Sequence, residues 1–311
     1  MQYRTLGRTG LRVSEIGFGG AQVGIPNYME TWDPAGAAEQ ATIVAAVNHA
    51  LDTGLNYVDT APSYGNGISE EILGRVIGKR RAECVVATKV TNYDGPSVIG
   101  SVEQSLRRLQ TDVIDVIQFH GGDYPPDALD TILNRGGLEA FRKLRDQGKV
   151  RFLGFTAEMP SGGVSQLIAT GAFDVMQIRY NFMYQSACDF INEQGVMREA
   201  EAQAGRKRSF RLHPGGCQEA RATPAPGMGI VIMRPMTSGI FQRLMNRAFP
   251  QLSEPDLGAY LLNYVLSNPF VDVAIIGMRR TDEVDRNNAI SDNTAARLDL
   301  PAAHYRFFPG L

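Results

Sequence analysis

Residues 56–89 read NYVDTAPSYGNGISEEILGRVIGKRRAECVVATK, and this stretch decides the fold. A short apolar run at residues 56–60 is followed by a helical pattern at residues 70–79, and a second apolar run covers residues 84–88. Both runs are rich in β-branched residues and show little polar alternation, which is typical of strands buried on both faces of a parallel sheet. The stretch therefore predicts one strand–helix–strand unit.

The same unit recurs along the chain. Six further strands are predicted at Val13–Phe18, Val113–Phe119, Val150–Phe155, Val175–Ile178, Ile230–Met233 and Val273–Ile276. Strict alternation of strands and helices predicts a parallel sheet, and eight such units can close into a (β/α)8 TIM barrel of the α/β class. The open doubly wound sheet is the alternative, but no G-x-G-x-x-G motif follows an early strand. RTLGRTGLRV at residues 4–13 adds an N-terminal β-hairpin.

The composition is that of one globular domain over residues 1–311. The chain is 43% hydrophobic and 21% charged, with a formal net charge of −2, so neither nucleic acid nor a membrane is expected as a partner. No apolar run is long enough to span a bilayer, and the N-terminus lacks the apolar region of a secretory signal. Three widely spaced cysteines favour a reducing, cytoplasmic location, and no metal site is predicted.

Residues 206–227, RKRSFRLHPGGCQEARATPAPG, interrupt the regular spacing of the units. They fall in a 56-residue interval between the predicted ends of the sixth and seventh strands. The segment holds five Arg or Lys residues, one Glu and three prolines, without apolar periodicity. We expect a surface loop insertion on the amino-terminal face of the barrel, because the segment precedes a strand. A basic arm that contacts an acidic partner or nucleic acid is the alternative.

Four chemically active residues follow neighbouring strands. Asp59 ends the second predicted strand and Tyr64 comes just after it, while Lys89 and His120 end the third and fourth. Each has an ordinary structural explanation alone, such as capping or packing. Because the carboxyl ends of barrel strands converge on one cavity, their joint placement predicts a catalytic centre.

At these residues the sequence resembles the aldo-keto reductase family. The resemblance is carried by LGRTGLRVSEIGFGG, DTAPSYGNGISEEILG, ATK, QFH, PMTSG and IIGMRRTDEVDRNN, and it covers essentially the whole chain apart from residues 206–227. It implies reduction of an aldehyde or ketone, or the reverse oxidation of an alcohol or sugar hydroxyl, with a nicotinamide cofactor. Tyr64 would be the general acid, Lys89 would tune its pKa, Asp59 would pair with Lys89, and His120 would orient the substrate.

Elementary electrostatics is compatible with those roles. A carbonyl that accepts hydride at carbon needs a proton at oxygen. An ammonium about 4 Å from a phenolate, at an effective dielectric near 20, is worth about 4 kcal/mol. That would bring the pKa of Tyr64 down from about 10 towards neutrality. A carboxylate such as Asp59 would keep a buried Lys89 charged.

Two segments are suited to phosphate. The glycine-rich turns at residues 17–20 and 237–239 allow a ligand to approach the backbone closely, and the latter follows the seventh strand, where barrels often bind phosphate. Arg279 and Arg280 stand at the start of a helix predicted over residues 281–289, and guanidinium groups there favour anions. Arginines that are merely solvated are the alternative.

The resemblance assigns the cofactor contacts more closely. Residues 236–239 would wrap the pyrophosphate, Gln177 would bond the carboxamide, Asp59 would reach the ribose, and the arginine pair would hold the adenosine 2′-phosphate. NADP(H) is therefore expected, with NAD(H) as the alternative. The full expected set is Gly20, Asp59, Thr156, Gln177, Arg234, Met236, Thr237, Ser238, Gly239, Arg279, Arg280, Glu283 and Asn287.

The chain departs from the family pattern on the nicotinamide side. Thr156 and Ala157 stand where a Ser-Asn pair is usual, and Met233 replaces a common aromatic residue. Arg234 could contact phosphate or pair with a carboxylate. These departures concern the residues that would contact nicotinamide and leave the catalytic four intact.

The substrate pocket is the least determined part. Tyr28 and Trp32 in the first loop, and Tyr93 and Tyr124 beyond the third and fourth strands, could line an aromatic pocket or pack the loops together. Two other functions stay open. A cofactor-sensing binding protein would bind nicotinamide with little turnover, and a lyase would use Lys89 as a Schiff-base amine.

Overall fold

The structure is a computed structural model that describes residues 1–190, 193–202, 227–251, 254–300 and 302. The expected insertion at residues 206–227 lies outside the described residues except for Gly227, so its expected loop character stays a prediction. Within the described ranges, no helix is long and apolar enough to cross a bilayer.

Eight parallel strands close into a barrel in chain order, and the last strand pairs with the first. The barrel strands are β3 (Ile16–Gly19), β4 (Tyr57–Asp59), β5 (Val85–Val90), β6 (Ile114–His120), β7 (Val150–Ala157), β8 (Val175–Arg179), β9 (Gly229–Met233) and β10 (Val273–Gly277). Nearly every strand residue is buried, because the interior lies on one face and the helices cover the other. The predicted barrel is confirmed.

Helices connect the strands and cover the outside of the barrel. They are α1 (Ala21–Gly24), α2 (Ala37–Asp52), α3 (Ile68–Arg80), α4 (Gly95–Leu109), α5 (Pro126–Leu133), α6 (Gly137–Asp146), α7 (Gly162–Ala169), α8 (Val196–Ala202), α9 (Ile240–Ala248), α10 (Glu254–Leu266) and α11 (Thr281–Asp292). Asp94 begins α4 by accepting a hydrogen bond from the Ser97 backbone N–H at 3.1 Å, and Ser161 caps α7 in the same way. Because each helix returns the chain to the start of the next parallel strand, the carboxyl ends of all the barrel strands lie at one face.

The predicted N-terminal hairpin is confirmed, but the first barrel strand begins later than the sequence suggested. Strands β1 (Tyr3–Thr5) and β2 (Arg12–Ser14) pair antiparallel, and β3 starts only at Ile16. The predicted strand at residues 13–18 was therefore wrong at its start. Glu15 separates the two strands because its buried carboxylate pairs with Arg4 and Arg297, which ends the hairpin where the barrel begins.

The hairpin also closes the amino-terminal end of the barrel. Leu6 and Val13 are fully buried and join the apolar side chains inside the barrel, among them Tyr57 and Val231. A separate, larger core lies between the strands and the helices. The interior is thus packed with apolar groups at the amino-terminal end, which leaves the carboxyl-terminal end for polar groups.

Candidate active site

The four predicted catalytic residues lie together at the carboxyl-terminal end of the barrel. Asp59 is the last residue of β4, Lys89 lies near the end of β5, and His120 is the last residue of β6. Tyr64 follows β4 in the loop before α3. Since β4, β5 and β6 are adjacent strands, the register of the sheet brings these side chains together.

Asp59 and Lys89 form a buried ion pair. Lys89 Nζ lies 2.7 Å and 2.9 Å from the two carboxylate oxygens of Asp59, and 2.7 Å from the backbone oxygen of Thr60. Lys89 is fully buried and Asp59 is 2% exposed. The ammonium therefore has an acceptor for each of its three N–H groups, which fixes its position and its charge.

Tyr64 lies between the ion pair and His120. Lys89 Nζ is 5.0 Å from the centre of the Tyr64 ring. The rings of Tyr64 and His120 meet edge to face, with centroids 5.8 Å apart and planes at 87°. Both side chains are half-buried, and His120 Nδ1 lies 3.3 Å from Ser63 Oγ. A phenol and an imidazole therefore border the same opening above the ion pair.

Burial dominates the proton equilibria of this group. Burial raises the pKa of Tyr64, and its effect outweighs the lowering by the Lys89 ammonium. Burial alone would lower the pKa of Lys89, but the Asp59 carboxylate and the Tyr64 phenol raise it above its ordinary value. Burial and the Lys89 charge lower the pKa of His120 to about 3. Lys89 is thus charged, while Tyr64 and His120 are neutral near pH 7.

One expectation is corrected here. The Lys89 charge was expected to bring the pKa of Tyr64 towards neutrality, and in the structure the pKa lies above its ordinary value instead. The carboxylate of Asp59 neutralises much of the field of Lys89, and desolvation of the phenolate supplies the larger opposing effect.

Gln118 belongs to this group, although the sequence argument did not select it. It is fully buried in β6, and its Nε2 lies 3.2 Å from Gln177 Oε1. Burial raises the pKa of Asp59, and the Lys89 ammonium and the two nearby amides act in the opposite direction. The signal was present, because Gln118 and His120 are two residues apart on one strand and face the same side.

Thr156 and Gly20 line the same end of the barrel with their polar atoms already engaged. Thr156 Oγ1 donates to the Gly121 backbone oxygen at 3.0 Å and accepts from the Gly121 N–H at 3.1 Å. The Gly20 N–H donates to the Asp59 backbone oxygen at 2.7 Å, and a Cβ on Gly20 would lie 2.8 Å from that oxygen. Gly20 therefore holds the first loop close to β4.

The segment after β9 has an unusual backbone. Arg234, Thr237, Ser238 and Gly239 all have positive φ, with Gly239 at 67° immediately before α9. Met236 completes this segment and accepts the Gly239 N–H at 3.0 Å. Consecutive left-handed residues at a helix start direct N–H groups to one side, which suits an anion.

Arg234 pairs with a carboxylate, one of its two expected roles. Arg234 Nη2 lies 2.8 Å from Glu158 Oε1, while Arg179 Nη1 lies 3.4 Å from Glu158 Oε2. The Glu158 carboxylate, which the sequence argument did not select, thus lies between two arginines at the mouth of the barrel.

Arg279 and Arg280 are paired with acidic side chains. Both guanidinium groups contact Glu30 Oε1, which lies 2.7 Å from Arg279 Nη1 and 3.2 Å from Arg280 Nη1. Glu283 Oε2 accepts the backbone N–H of Arg279 at 2.6 Å and that of Arg280 at 3.1 Å, so Glu283 caps the start of α11. Asn287 is buried one turn further along α11. Glu30 is the second acidic partner that the sequence argument missed.

The four expected pocket residues separate into two groups. Tyr28 lies near enough to Tyr64 to influence its pKa, and half-buried Tyr93 donates to the His120 backbone oxygen at 2.8 Å. Trp32 is 9% exposed, with the Arg279 guanidinium 4.3 Å from its ring centre. Tyr124 is 2% exposed and donates to the Phe119 and Thr156 backbone oxygens. Trp32 and Tyr124 therefore pack loops, which is one of the two roles expected for these residues, and the aromatic pocket stays a prediction.

Comparison with known proteins identifies the family. A model described as "Aldo/keto reductase family" matches residues 15–204 of this chain. The chain belongs to the aldo/keto reductase family. It is 34% identical over 165 residues to L-galactose dehydrogenase of Arabidopsis thaliana, a match that covers 50% of this chain and 48% of the plant protein. It is also 34% identical over 166 residues to aldo-keto reductase YhdN of Bacillus subtilis, covering 50% and 46%. This chain spans about half the length of these curated relatives.

Solved structures of other aldo-keto reductases share the fold. The holo form of an aldo-keto reductase from Bacillus halodurans superimposes with a TM-score of 0.70 at 23% identity, over 99% of this chain and 96% of that one. An aldo/keto reductase from Klebsiella pneumoniae, in complex with NADPH, gives 0.66 at 24% identity with the same coverage. The barrel with its N-terminal hairpin is thus the fold of this family.

Proposed function

We propose that the protein is an NADP(H)-dependent oxidoreductase that reduces an aldehyde or ketone to an alcohol, or runs the reverse on an alcohol or sugar hydroxyl. The observation that carries the proposal is the arrangement of Tyr64 between the buried Asp59–Lys89 ion pair and the neutral His120. Membership in the aldo/keto reductase family supports it. The Klebsiella pneumoniae reductase, which was solved in complex with NADPH, supports the cofactor.

In this proposal Tyr64 is the general acid. Its hydroxyl donates a proton to the carbonyl oxygen as that oxygen gains charge, and the Lys89 ammonium stabilises the phenolate that remains. Asp59 keeps the ammonium charged and in position through two short contacts. In the reverse direction the same phenolate accepts the proton of an alcohol. The proton moves between one phenol oxygen and one substrate oxygen.

His120 orients the substrate in this proposal. Because its pKa is lowered to about 3, the imidazole is neutral and can donate one N–H hydrogen bond to the carbonyl oxygen. A neutral donor polarises the carbonyl without competing with Tyr64 for the role of acid. The edge-to-face contact of the two rings holds both donors at the same opening.

The residues present fit a nicotinamide cofactor. Gln118 Oε1 is buried with no hydrogen-bond partner in the described part of the chain, and it lies beside Asp59 and Gln177, where a polar ligand group would satisfy it. Gln177, Gln118 and Thr156 would hold the nicotinamide and ribose, residues 236–239 the pyrophosphate, and Arg279 and Arg280 the 2′-phosphate. When bound, the nicotinamide supplies the hydride that the protein side chains lack.

The Schiff-base alternative receives no support from this geometry. An amine must be neutral to attack a carbonyl, and Lys89 is held charged by Asp59 with a pKa above its ordinary value. Its Nζ also has three acceptors around it, which obstruct approach to a substrate.

A cofactor-sensing binding protein is the second candidate. The chain is 35% identical over 144 residues to a rice protein named "Probable voltage-gated potassium channel subunit beta", a match that covers 42% of this chain. If this chain were a cofactor-sensing binding protein, it would bind NADPH with little turnover of a carbonyl substrate. The two candidates therefore differ in rate, and the same experiment separates them.

The test is a fluorescence titration with NADPH and NADH, followed by NADPH oxidation over a panel of aldehydes and ketones. We expect NADPH binding and turnover of at least one carbonyl. Tyr64→Phe should lower kcat by about 10²–10⁴-fold with the NADPH Kd nearly unchanged. Tyr260→Phe, at an exposed position on α10, is the matched control and should keep full activity. Tight NADPH binding without turnover would favour the sensor, and full turnover in Tyr64→Phe would exclude this acid.

A further inference from the structure

The loop between α1 and α2 forms a closed turn over the Arg279 side chain. The Asn27 N–H donates to the Trp32 backbone oxygen at 3.0 Å, and the Trp32 N–H donates to Asn27 Oδ1 at 3.0 Å. Within the turn Asn27 and Met29 have φ of 53° and 76°, a conformation that side chains other than glycine adopt at a cost. The closed turn and these φ values direct the intervening residues towards α11 and β9.

Three parts of the turn hold Arg279. Glu30 Oε1 lies 2.7 Å from Arg279 Nη1, and the Tyr28 backbone oxygen lies 3.0 Å from Arg279 Nη2. The Trp32 ring packs against the guanidinium group. Gln22 contributes its backbone oxygen to Arg279 Nε at 2.8 Å. Arg279 is 1% exposed as a result. These contacts engage three of the five N–H groups of the guanidinium, and its burial keeps a ligand from reaching the others until the turn moves.

Glu30 is the acidic member of this arrangement. Its Oε1 contacts Arg280 as well as Arg279, and its carboxylate is 44% exposed. A single carboxylate shared by two guanidinium groups occupies the position that a phosphate bound to both arginines would take. Arg280 retains Glu283 as a second partner, so Glu30 is the exchangeable one.

We propose that Glu30 is a specificity-determining residue that occupies the site for the 2′-phosphate of the cofactor and competes with it for Arg279 and Arg280. The proposal rests on the proposed use of NADP(H). A dianionic phosphate displaces the carboxylate, whereas the 2′-hydroxyl of NAD(H) has no charge with which to do so. Breaking the ion pairs of Glu30 offsets part of the binding free energy that the phosphate gains from the two arginines. Glu30 therefore lowers the preference for the phosphorylated cofactor.

The displacement involves the pyrophosphate segment as well. Met29 lies against Gly239, since a Cβ added at Gly239 would come within 2.6 Å of Met29 Cε. Movement of Glu30 away from the arginines therefore also moves a neighbour of residues 236–239. The turn from Asn27 to Trp32 responds to both phosphate groups through adjacent residues.

The sole tryptophan of the chain is Trp32, so the site carries its own optical reporter. Adenosine 2′,5′-bisphosphate and adenosine 5′-monophosphate differ only in the 2′-phosphate, and neither reduces a carbonyl, so binding is measured apart from catalysis. Tryptophan emission would be followed during titration of the wild type, Glu30→Gln and Glu71→Gln. The last removes one negative charge at an exposed position of α3 and is the matched control.

We expect Glu30→Gln to lower the Kd for the bisphosphate by about tenfold. The substitution removes the one carboxylate that pairs with both Arg279 and Arg280. Binding of the monophosphate should stay within about twofold, and Glu71→Gln should resemble the wild type. Weaker bisphosphate binding in Glu30→Gln would mean that Glu30 positions the arginines, and equal binding would mean that it does not compete. Either result overturns the proposal.

Failure of the proposed function would look different. If the wild type binds neither NADPH nor the bisphosphate, and Glu30→Gln also binds neither, the cofactor assignment itself is wrong. If the wild type binds NADPH and Glu30→Gln shows no gain, only the role of Glu30 fails. Circular dichroism of Glu30→Gln, with Glu30→Ala as a second variant, shows that a lost signal does not reflect a lost fold.

Discussion

The Lys89 ammonium lies 5.0 Å from the centre of the Tyr64 ring, yet the pKa of Tyr64 lies above its ordinary value of 10.0 because burial outweighs that charge. The phenol therefore keeps its proton throughout the physiological range. His120, with a pKa lowered to about 3, is neutral over the same range. Tyr64, the proposed proton donor, and His120, the residue proposed to orient the substrate, therefore each stay in one protonation state near pH 7.

A flat pH profile follows for carbonyl reduction. Reduction needs the protonated phenol, which is lost only as pH rises through the raised pKa of Tyr64. We expect kcat/KM for reduction to change by less than about twofold between pH 6 and 9 and to fall above about pH 10. A single-turnover or steady-state pH profile checks this. A titration with a midpoint near pH 6.5 would show that His120 changes its charge during catalysis.

Breaking the ion pair should cost both stability and activity. Lys89→Met leaves the fully buried Asp59 carboxylate without its ammonium partner, so the free energy of unfolding should fall by about 3–5 kcal/mol. The double variant Asp59→Asn, Lys89→Met should lose less than the sum of the single variants, because it removes both charges. Urea denaturation of the four proteins measures the coupling. Strict additivity would contradict a direct ion pair.

At the scale of the element, the N-terminal hairpin is a structural part of the barrel. Leu6 and Val13 fill the amino-terminal end of its interior, while Arg4 pairs with Glu15 between β2 and β3. The opposite end holds Asp59, Tyr64, Lys89 and His120, the proposed catalytic group. Stability and catalysis are thus assigned to opposite ends of the same strands, as in other barrels of this kind.

Leu6→Ala should therefore destabilise the fold and spare the site. The fully buried side chain leaves a cavity when truncated, and the free energy of unfolding should fall by about 2–5 kcal/mol. The Kd for NADPH should remain within about twofold of the wild type under native conditions. Leu11→Ala, at a partly buried position of the same hairpin, is the control and should cost less. A large change in NADPH affinity for Leu6→Ala would show that the two ends are coupled.

At the scale of the whole molecule, the low pKa of His120 makes stability depend on pH. The folded protein binds a proton at His120 only near pH 3, whereas the unfolded chain binds it near the ordinary value of 6.5. Stability is therefore lost as pH falls from 6.5 towards 3, by up to about 1.4 kcal/mol per pH unit from this residue.

His120→Gln should show a shallower loss of stability over that window. Thermal or urea unfolding at pH 7, 6, 5 and 4 measures the slope for each protein. Tyr260→Phe, at an exposed position that involves no histidine, is the control and should keep the slope of the wild type. Identical slopes for the wild type and His120→Gln would mean that folding does not lower the pKa of His120.

Much of the architecture could be predicted because it depends on local patterns. Runs such as residues 84–88 and 113–119 are mostly apolar, as strands buried on both faces of a sheet are, and the helices between them favour parallel pairing. The hairpin was predictable from its glycine-punctuated turn. The strand boundary at Glu15 could not be predicted, because its partner Arg297 lies far away in sequence and local sequence patterns do not indicate such a pair.

The candidate site divides in the same way. The sequence by itself determined that Asp59, Lys89 and His120 come together, because strand ends in a closed parallel barrel meet at one face whatever the loops do. Only the tertiary structure decided that burial raises the pKa of Tyr64, that Trp32 and Tyr124 pack loops, and that Glu30 pairs with Arg279 and Arg280. Desolvation and long-range ion pairs depend on which groups surround a side chain in space. The periodicity of the strands does not predict those neighbours.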